Sequence, residues 1–312
     1  MQDSAVVVLL IPLMNLTFPG CCALLFLFHL MGVPVQGQTR LYDSRSLLVC
    51  GDTKVHLVDT ALSQPEKPHI VWTWDARSVQ DLPEEYRTRK FNSVDDVKAV
   101  RDGTQLLISS SSGAVAVWDV EKNLTLFHAT VLNSHSIEVL PGNLLVAAAS
   151  VHAEGNKLML FDLAQGNTPI FTDELSSAHG VVWHAGRDSL FALGFDVLRE
   201  YKLEGKTLKK IQEWKIPGEG GHELSLTPDA KSLFVTEHTG AWRFDIASAQ
   251  FSKIEGFPDA QNIKSMNLAK NGQFLYTVPE QSWWTRHVSL FNPPLSLAFP
   301  GMKVYKARWY RE

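Results

Sequence analysis

Val115-Ala116-Val117-Trp118-Asp119 decides the fold, because the chain keeps returning to it. Val55-His56-Leu57-Val58-Asp59, Leu158-Met159-Leu160-Phe161-Asp162 and Ala241-Trp242-Arg243-Phe244-Asp245 repeat the pattern. Leu198-Arg199-Glu200-Tyr201-Lys202 and Val288-Ser289-Leu290-Phe291-Asn292 fill the same slot in degraded form. Each is a short apolar run of strand-forming residues stopped by a turn former. A second run precedes each of the last five units: Gln105–Ser109, Leu144–Ala149, Ser189–Leu193, Ser232–Thr236 and Gln273–Thr277. Polar turns such as Arg101-Asp102-Gly103 and Lys270-Asn271-Gly272 come before those runs, and another short strand comes before each turn. Three strands plus a fourth in the connector, repeated at a spacing of roughly forty residues, make one blade of a β-propeller.

Five complete units start near residues 93, 134, 178, 221 and 262. A sixth is split between the two ends of the pattern. Leu47–Gly51, Lys54–Thr60 and Ile70–Trp74 supply three strands without an inner one, and Lys303–Tyr310 is a strand without a blade. Pairing the two parts closes the ring and removes its open edges. The expected fold is therefore all-β: a propeller of six four-stranded blades, with seven as the alternative, occupying residues 38–312. Helical periodicity is nearly absent, and Ser78–Arg87 is the one stretch that reads as a helical turn.

Of 312 residues, 45% are hydrophobic and 20% charged, a globular composition with ample core. The net charge of −4 and the lack of any Lys/Arg run argue against nucleic acid as a partner. Residues 1–37 hold a single charge, Asp3, and two apolar blocks interrupted by Asn15, Thr17, Pro19 and Gly20. That interruption leaves no stable membrane span, so the segment reads as a signal peptide cleaved after Gly37. The protein is accordingly expected to be secreted and monomeric, with membrane anchoring by this segment as the alternative. Cys21 and Cys22 lie in the leader, leaving Cys50 as a buried, inert thiol within Leu47-Leu48-Val49-Cys50. Asn123-Leu124-Thr125 is a glycosylation sequon.

Aligning the blades on their turns puts Asp95, His135, His179, His222, Lys264 and Lys306 in one column at the start of the inner strands. Equivalent inner-strand positions share one height around the channel. Three imidazoles at one level are the ligand set of an open divalent-metal site, with zinc, manganese or calcium as candidates. Without a metal, the same histidines suit acid–base work near neutral pH. Lys264 and Lys306 favour an anion such as a carboxylate. A repeated histidine bonding a backbone carbonyl is the purely structural alternative.

The tandem Trp283-Trp284 between two strands of the last blade suits stacking on a sugar ring or packing between blades. Trp72 and Trp74 alternate in a strand and read as core. Asp81–Lys90 reads as a solvated charged connector, with Arg87 or Arg89 reaching over the channel mouth to grip an acidic ligand as the alternative. His152, Glu154, Asn156, Glu237 and His238 extend the polar rim. Pro217-Gly218-Glu219-Gly220-Gly221 precedes no helix and is not a phosphate loop.

Val71-Trp72-Thr73-Trp74-Asp75, Asn133-Ser134-His135, Ala178-His179-Gly180-Val181-Val182-Trp183, Gly221-His222 and Ser282-Trp283-Trp284-Thr285 resemble a family of secreted propellers. That family is catalogued as domain of unknown function 6528 and is found mostly in bacteria and some fungi. The resemblance runs from about Leu47 to Trp309. It implies a propeller and no settled activity. At the level of fold, propellers with channel histidines are similar to uronate-cleaving polysaccharide lyases and related glycosidases. The expected function is cleavage of an acidic, uronate-containing glycan by β-elimination. In that scheme His135, His179 and His222 act as base or ligands, Lys264, Lys306 and Arg87 hold the carboxylate, and Trp283 and Trp284 stack the sugar. Glycoside hydrolysis at the same place, and a non-enzymatic binding or scaffold module, are the alternatives.

Overall fold

The computed structural model describes residues 45–310, so the leader and the start of the propeller domain lie outside the described residues. Six antiparallel sheets of four strands form the molecule. Blades 2 to 6 are continuous in sequence: Val94–Thr130, Ser134–Glu174, Gly180–Lys215, Glu223–Lys253 and Ser265–Ala298. Blade 1 combines Ser46–Gly51, Lys54–Gln64 and Lys67–Asp75 with the closing strand Val304–Trp309. Leu47 pairs with Trp309, Leu48 with Arg308 and Val49 with Ala307. The ring is therefore closed by two segments from opposite ends of the repeat, and the blade number is six.

The recurring aspartate has a local cause. At the end of the third strand of blades 2, 3 and 5 its carboxylate folds back onto the next turn: Asp119 accepts from Lys122 N (2.9 Å), Asp162 from Ala164 N (3.0 Å) and Asp245 from Ser248 N (2.8 Å). An aspartate there stops the strand and starts the reversal.

The second strands read as unbroken apolar runs because both faces are buried. In blade 3, Leu144, Val146 and Ala148 pack toward blade 4, while Leu145, Ala147 and Ala149 pack toward blade 2. Blade 1 divides in the same way, with Leu47 and Val49 toward blade 6 and Leu48 and Cys50 toward blade 2. Among the described residues the core is six apolar clusters, one at each blade interface.

The connector after blade 1 departs from the expected single turn over Ser78–Arg87. It contains two separate turns, Ala76–Ser78 and Tyr86–Lys90, the second closed by Phe91 N to Tyr86 O (3.1 Å). Pro83 lies between them. It has no N–H to donate and it disfavours helix at Leu82, so the stretch divides.

Cys50 is fully buried, and its Sγ donates to the Lys306 carbonyl at 3.3 Å. Burial, followed by the nearby Asp96, raises the thiol well above its ordinary pKa. Alkylation with iodoacetamide under native conditions at pH 8 is expected to leave Cys50 unmodified by peptide mapping. Denaturation should expose it to full labelling. Labelling of the native chain as fast as of the unfolded chain would contradict this burial.

Candidate functional site

The inner strands begin at one mouth of the channel, and the residue that opens each of them points inward there. His179, His222 and Lys264 donate their backbone N–H to Leu193, Thr236 and Thr277 on the adjoining strands, at 2.9 Å each. This repeated bond puts the three at one height. Asp95 and His135 reach the same level from β-bulges, between Val94 and Asp96 and between Ser134 and Ser136. A bulged residue leaves the ladder and can re-aim its side chain, which suits a site.

The structure brings His135, His179, His222 and Lys264 side by side. His135 and His179 stack with ring centroids 4.2 Å apart and planes 15° apart, and His222 lies 5.4 Å from His179. Lys264 Nζ sits 2.7 Å from His222 Nε2. The row continues in both directions, through Tyr305 to the exposed Trp283 and through His238 to the exposed Phe195. Seven rings thus form one row, called the trough below, with exposed aromatics at its ends and the buried His135, His179 and His222 at its centre.

Hydrogen bonding assigns the protons on the floor. Asn133 donates its amide N–H to Val151 O (2.9 Å), so its Oδ1 accepts from His135 Nε2 (3.1 Å). His179 Nδ1 donates to the Ser177 carbonyl (3.0 Å). Lys264 donates to His222 Nε2, which puts the His222 proton on Nδ1. A lone pair therefore remains on His135 Nδ1 and on His179 Nε2. His135 Nδ1 and His222 Nδ1 are both buried without a partner.

Charge follows from burial. Burial pushes His179 down to about 3, with Lys306 and Lys264 adding to the shift against the Ser177 bond. Burial and then His179 lower His135, and burial and then Lys264 lower His222. The three rings are neutral at neutral pH. Lys264 is pushed down to about 8 by burial and then by the Lys306 charge. Asp95 is pushed up to about 7 by burial, although Ser111 and Ser93 bond its carboxyl and Lys306 lies nearby.

Several expected roles change. The stacked His135 and His179 rings direct their in-plane lone pairs along nearly parallel planes, and Lys264 takes that of His222. Ligands must converge on one point, and among the described residues no group of three or more His, Cys, Asp or Glu does so as a metal site. Lys306 does not face a ligand. It is fully buried, and its ammonium goes to Glu223 (2.9 Å) and to the His222 carbonyl (3.0 Å). Arg87 sits on a turn anchored to the outer strand of blade 2, where Tyr86 and Lys90 both bond Thr130; among the described residues its buried Nε has no partner and no contact joins it to the trough. The tandem tryptophans diverge: Trp283 meets Tyr305, while Trp284 lies against Arg286 and Lys303.

Below the imidazoles the channel is plugged. Arg308 forks onto Asp96 (2.6 and 3.0 Å) and onto Glu223 (2.6 and 3.2 Å). Burial alone would raise Asp96, yet Arg308, Lys306 and Lys98 hold it well below the usual carboxylate range. A larger cavity of about 860 Å³ opens at the other mouth, lined by Lys98, Glu138, Trp183 and Arg308 among others. Sequence reasoning missed this plug, although Asp96 and Glu223 lie one position past the column residues Asp95 and His222. Tyr305 and Phe195 carried no repeated signal.

Among the described residues no helix is long and apolar enough to cross a membrane. No curated protein matches the chain. Among solved structures it is similar to a chain of the structure titled "Crystal Structure of Mitotic Checkpoint Complex", at 15% identity and a TM-score of 0.51. That match covers 68% of this chain and 62% of the other, less than two thirds of its length, and the likeness is one of fold alone. The model of the Family of unknown function (DUF6528) matches residues 56–312, the greater part of the chain, and the protein belongs to that family.

Proposed function

We propose that the trough binds an acidic, ring-bearing ligand, a uronate-containing glycan being the class that fits it best. One observation carries the reading: Lys264 is buried, and its ammonium meets a neutral imidazole and no carboxylate among the described residues. A buried cation without a counter-charge is costly, and a ligand carboxylate would offset that cost. The flanking aromatics offer stacking faces, and the lone pair on His179 Nε2 can accept from a hydroxyl. Export by the segment 1–37 accords with this reading, since an extracellular protein meets such glycans. Recovery of the protein from the medium of its host, with a mature start after Gly37, is the outcome expected.

Calorimetric titration of the full chain with oligogalacturonate, alginate and hyaluronan oligosaccharides, against neutral cello-oligosaccharides, tests the binding. At least one acidic series is expected to bind, and Lys264→Met to weaken it about ten- to a hundredfold, the range for losing a hydrogen bond to a charged group. Affinity should fall as pH rises through about 8, where Lys264 loses its proton, and not near the ordinary lysine value. Equal binding of neutral and acidic series, unaffected by Lys264→Met, would remove the proposal.

β-Elimination is the second reading, favoured by the tautomer of His179. With Nδ1–H held by Ser177, its Nε2 lone pair takes the proton alpha to a uronate carboxylate, the C5–H electrons form the C4–C5 double bond as the C4–O4 bond breaks, and the leaving oxygen takes a proton from water. The ring is a weak base at about 3, which is why binding stands first. Hydrolysis usually needs two carboxyl groups, and Asp95 is the single one in the column. Unsaturated product, seen by ultraviolet absorbance and abolished in His179→Ala, would establish the lyase.

A further inference from the structure

The loop between the second and third strands of blade 6 is a small hairpin with Ser282 and Trp283 at its tip. Gln281 and Trp284 exchange backbone bonds of 3.1 Å across it. Thr285 ties it to the closing strand, bonding Val304 in both directions at 3.0 and 2.9 Å. Trp283 is the ring that ends the aromatic row on Tyr305. The Glu280 carboxylate spans the base of the loop: Oε2 accepts from Arg286 N at 2.9 Å, and Oε1 meets His287 Nδ1.

His287, which opens the third strand, meets a second carboxylate from another blade. Its Nε2 lies 3.1 Å from Glu66 Oε2. Glu66 stands in the turn of the outer hairpin of blade 1, between Lys54–Gln64 and Lys67–Asp75, and its N–H bonds Ser296 O of blade 6 at 3.0 Å. Carboxylates on both ring nitrogens decide the charge. A neutral imidazole donates through one nitrogen and carries a lone pair on the other. In either tautomer that lone pair would point at a carboxylate oxygen, whereas the imidazolium donates to both. Burial would lower the ring's pKa, yet the bond and charge of Glu280, and then Glu66, raise it above the ordinary value. The neighbouring cations Arg286 and Lys303 lie against Trp284, and Ala298, paired with His287 on the outer strand, carries no charge. Loss of the proton removes one of the two bonds. Glu280 stays tied through Arg286 N, while the exposed Glu66 carboxylate has no other bond among the described residues and turns to water.

We propose that His287 is a pH-sensitive clasp: protonated, it fastens the Glu66 hairpin of blade 1 to the loop that carries Trp283, and on losing its proton it lets that hairpin go. The seam between blades 6 and 1 and the Trp283 end of the row accordingly tighten in acid and loosen in base. A group whose folded pKa lies above its unfolded one adds stability that is complete below the unfolded value and is lost as pH rises through the folded value. The clasp needs no ligand and stands apart from the one proposed for the trough. Its members are solvent-exposed in part, so the effect is local and small.

The test follows the His287 ring and the Trp283 indole N–H of the full chain in nitrogen–proton correlation spectra, together with amide exchange, across neutral pH. The His287 midpoint is expected above the ordinary histidine value of about 6.5. Glu66→Gln should lower that midpoint by about 0.2–0.7 unit, the range of an exposed ion pair. Protection of the Glu66 amide should fall about two- to fivefold as pH rises through the same midpoint. The Trp283 signal should move with it. His287→Gln, at a partly exposed position, should make both readouts independent of pH over this range. Lys264→Met should leave both intact, which separates the clasp from the titration of Lys264 at about 8. A midpoint at or below the ordinary value, a midpoint that Glu66→Gln does not move, or Glu66 and Trp283 readouts that ignore the His287 titration would each overturn the proposal.

Discussion

Arg308→Met is expected to lower stability by about 3–5 kcal/mol, the cost of removing one partner from a buried ion cluster. The guanidinium answers two carboxylates with four hydrogen bonds, and none of the three groups has water to fall back on. Without it, Asp96 and Glu223 face each other with Lys306 and Lys98 as the remaining nearby cations, and of these Lys306 ion-pairs with Glu223 and neither with Asp96 among the described residues. Arg308→Lys should recover little, because a point charge cannot fork onto two carboxylates. The measurement is the urea midpoint at pH 7 with an unchanged m value. Acid gives a second signature. The depressed pKa of Asp96 stabilises the fold above the ordinary carboxylate range, and this contribution is lost as pH falls below about 4 toward its folded value. The variant should lose much of that acid slope. A variant as stable as the parent, with the same slope, would show that the cluster is neutral to folding.

Gly51→Ala should come close to the same size through sterics alone. A Cβ at Gly51 would lie 2.2 Å from the Lys303 carbonyl oxygen and 2.9 Å from Val304 Cα. Both are backbone atoms where the chain enters the strand that closes the ring, so no side chain can move aside. Overpacking a well-fitted contact costs about 1–3 kcal/mol, and the upper end or beyond is expected here. Gly142→Ala is the contrasting case: nothing lies within 4 Å, but φ is +77°, so the cost is conformational, about 1–2 kcal/mol. The first variant should also release Val304–Trp309, read as faster amide exchange in that strand and as native-state alkylation of Cys50. The second should leave both unchanged. Equal behaviour of the two would refute the steric account.

What the sequence made legible was what repeats. The apolar run ending in aspartate marks a third strand because the carboxylate turns the chain. The blade spacing follows, and with it the column that puts His135, His179, His222 and Lys264 at one height. What stayed hidden depends on direction rather than position. A column does not say that the His135 and His179 rings stack instead of converging, nor that Lys306 turns to Glu223 and away from the channel. Arg308 and Asp96 are joined across 212 residues and belong to different blades, so no local pattern announces them. Arg87 can reach the channel mouth as far as sequence tells, yet its turn is fixed at the outer strand of blade 2 by contacts of Tyr86 and Lys90 with Thr130.

The strand Val304–Trp309 has a consequence for how this protein is made. Blades 2 to 6 leave the ribosome before it does, and until it arrives the edge of Ser46–Gly51 stands unpaired, a state prone to aggregation. The same six residues bring Tyr305 to the aromatic row and Arg308 to the channel floor. Completion of the aromatic row and closure of the ring are therefore one event: a nascent chain halted upstream of Val304 has five finished blades, a broken row and no Arg308 cluster at its axis. The open edge of a partly made propeller marks it as unfinished to any chaperone that recognises such edges.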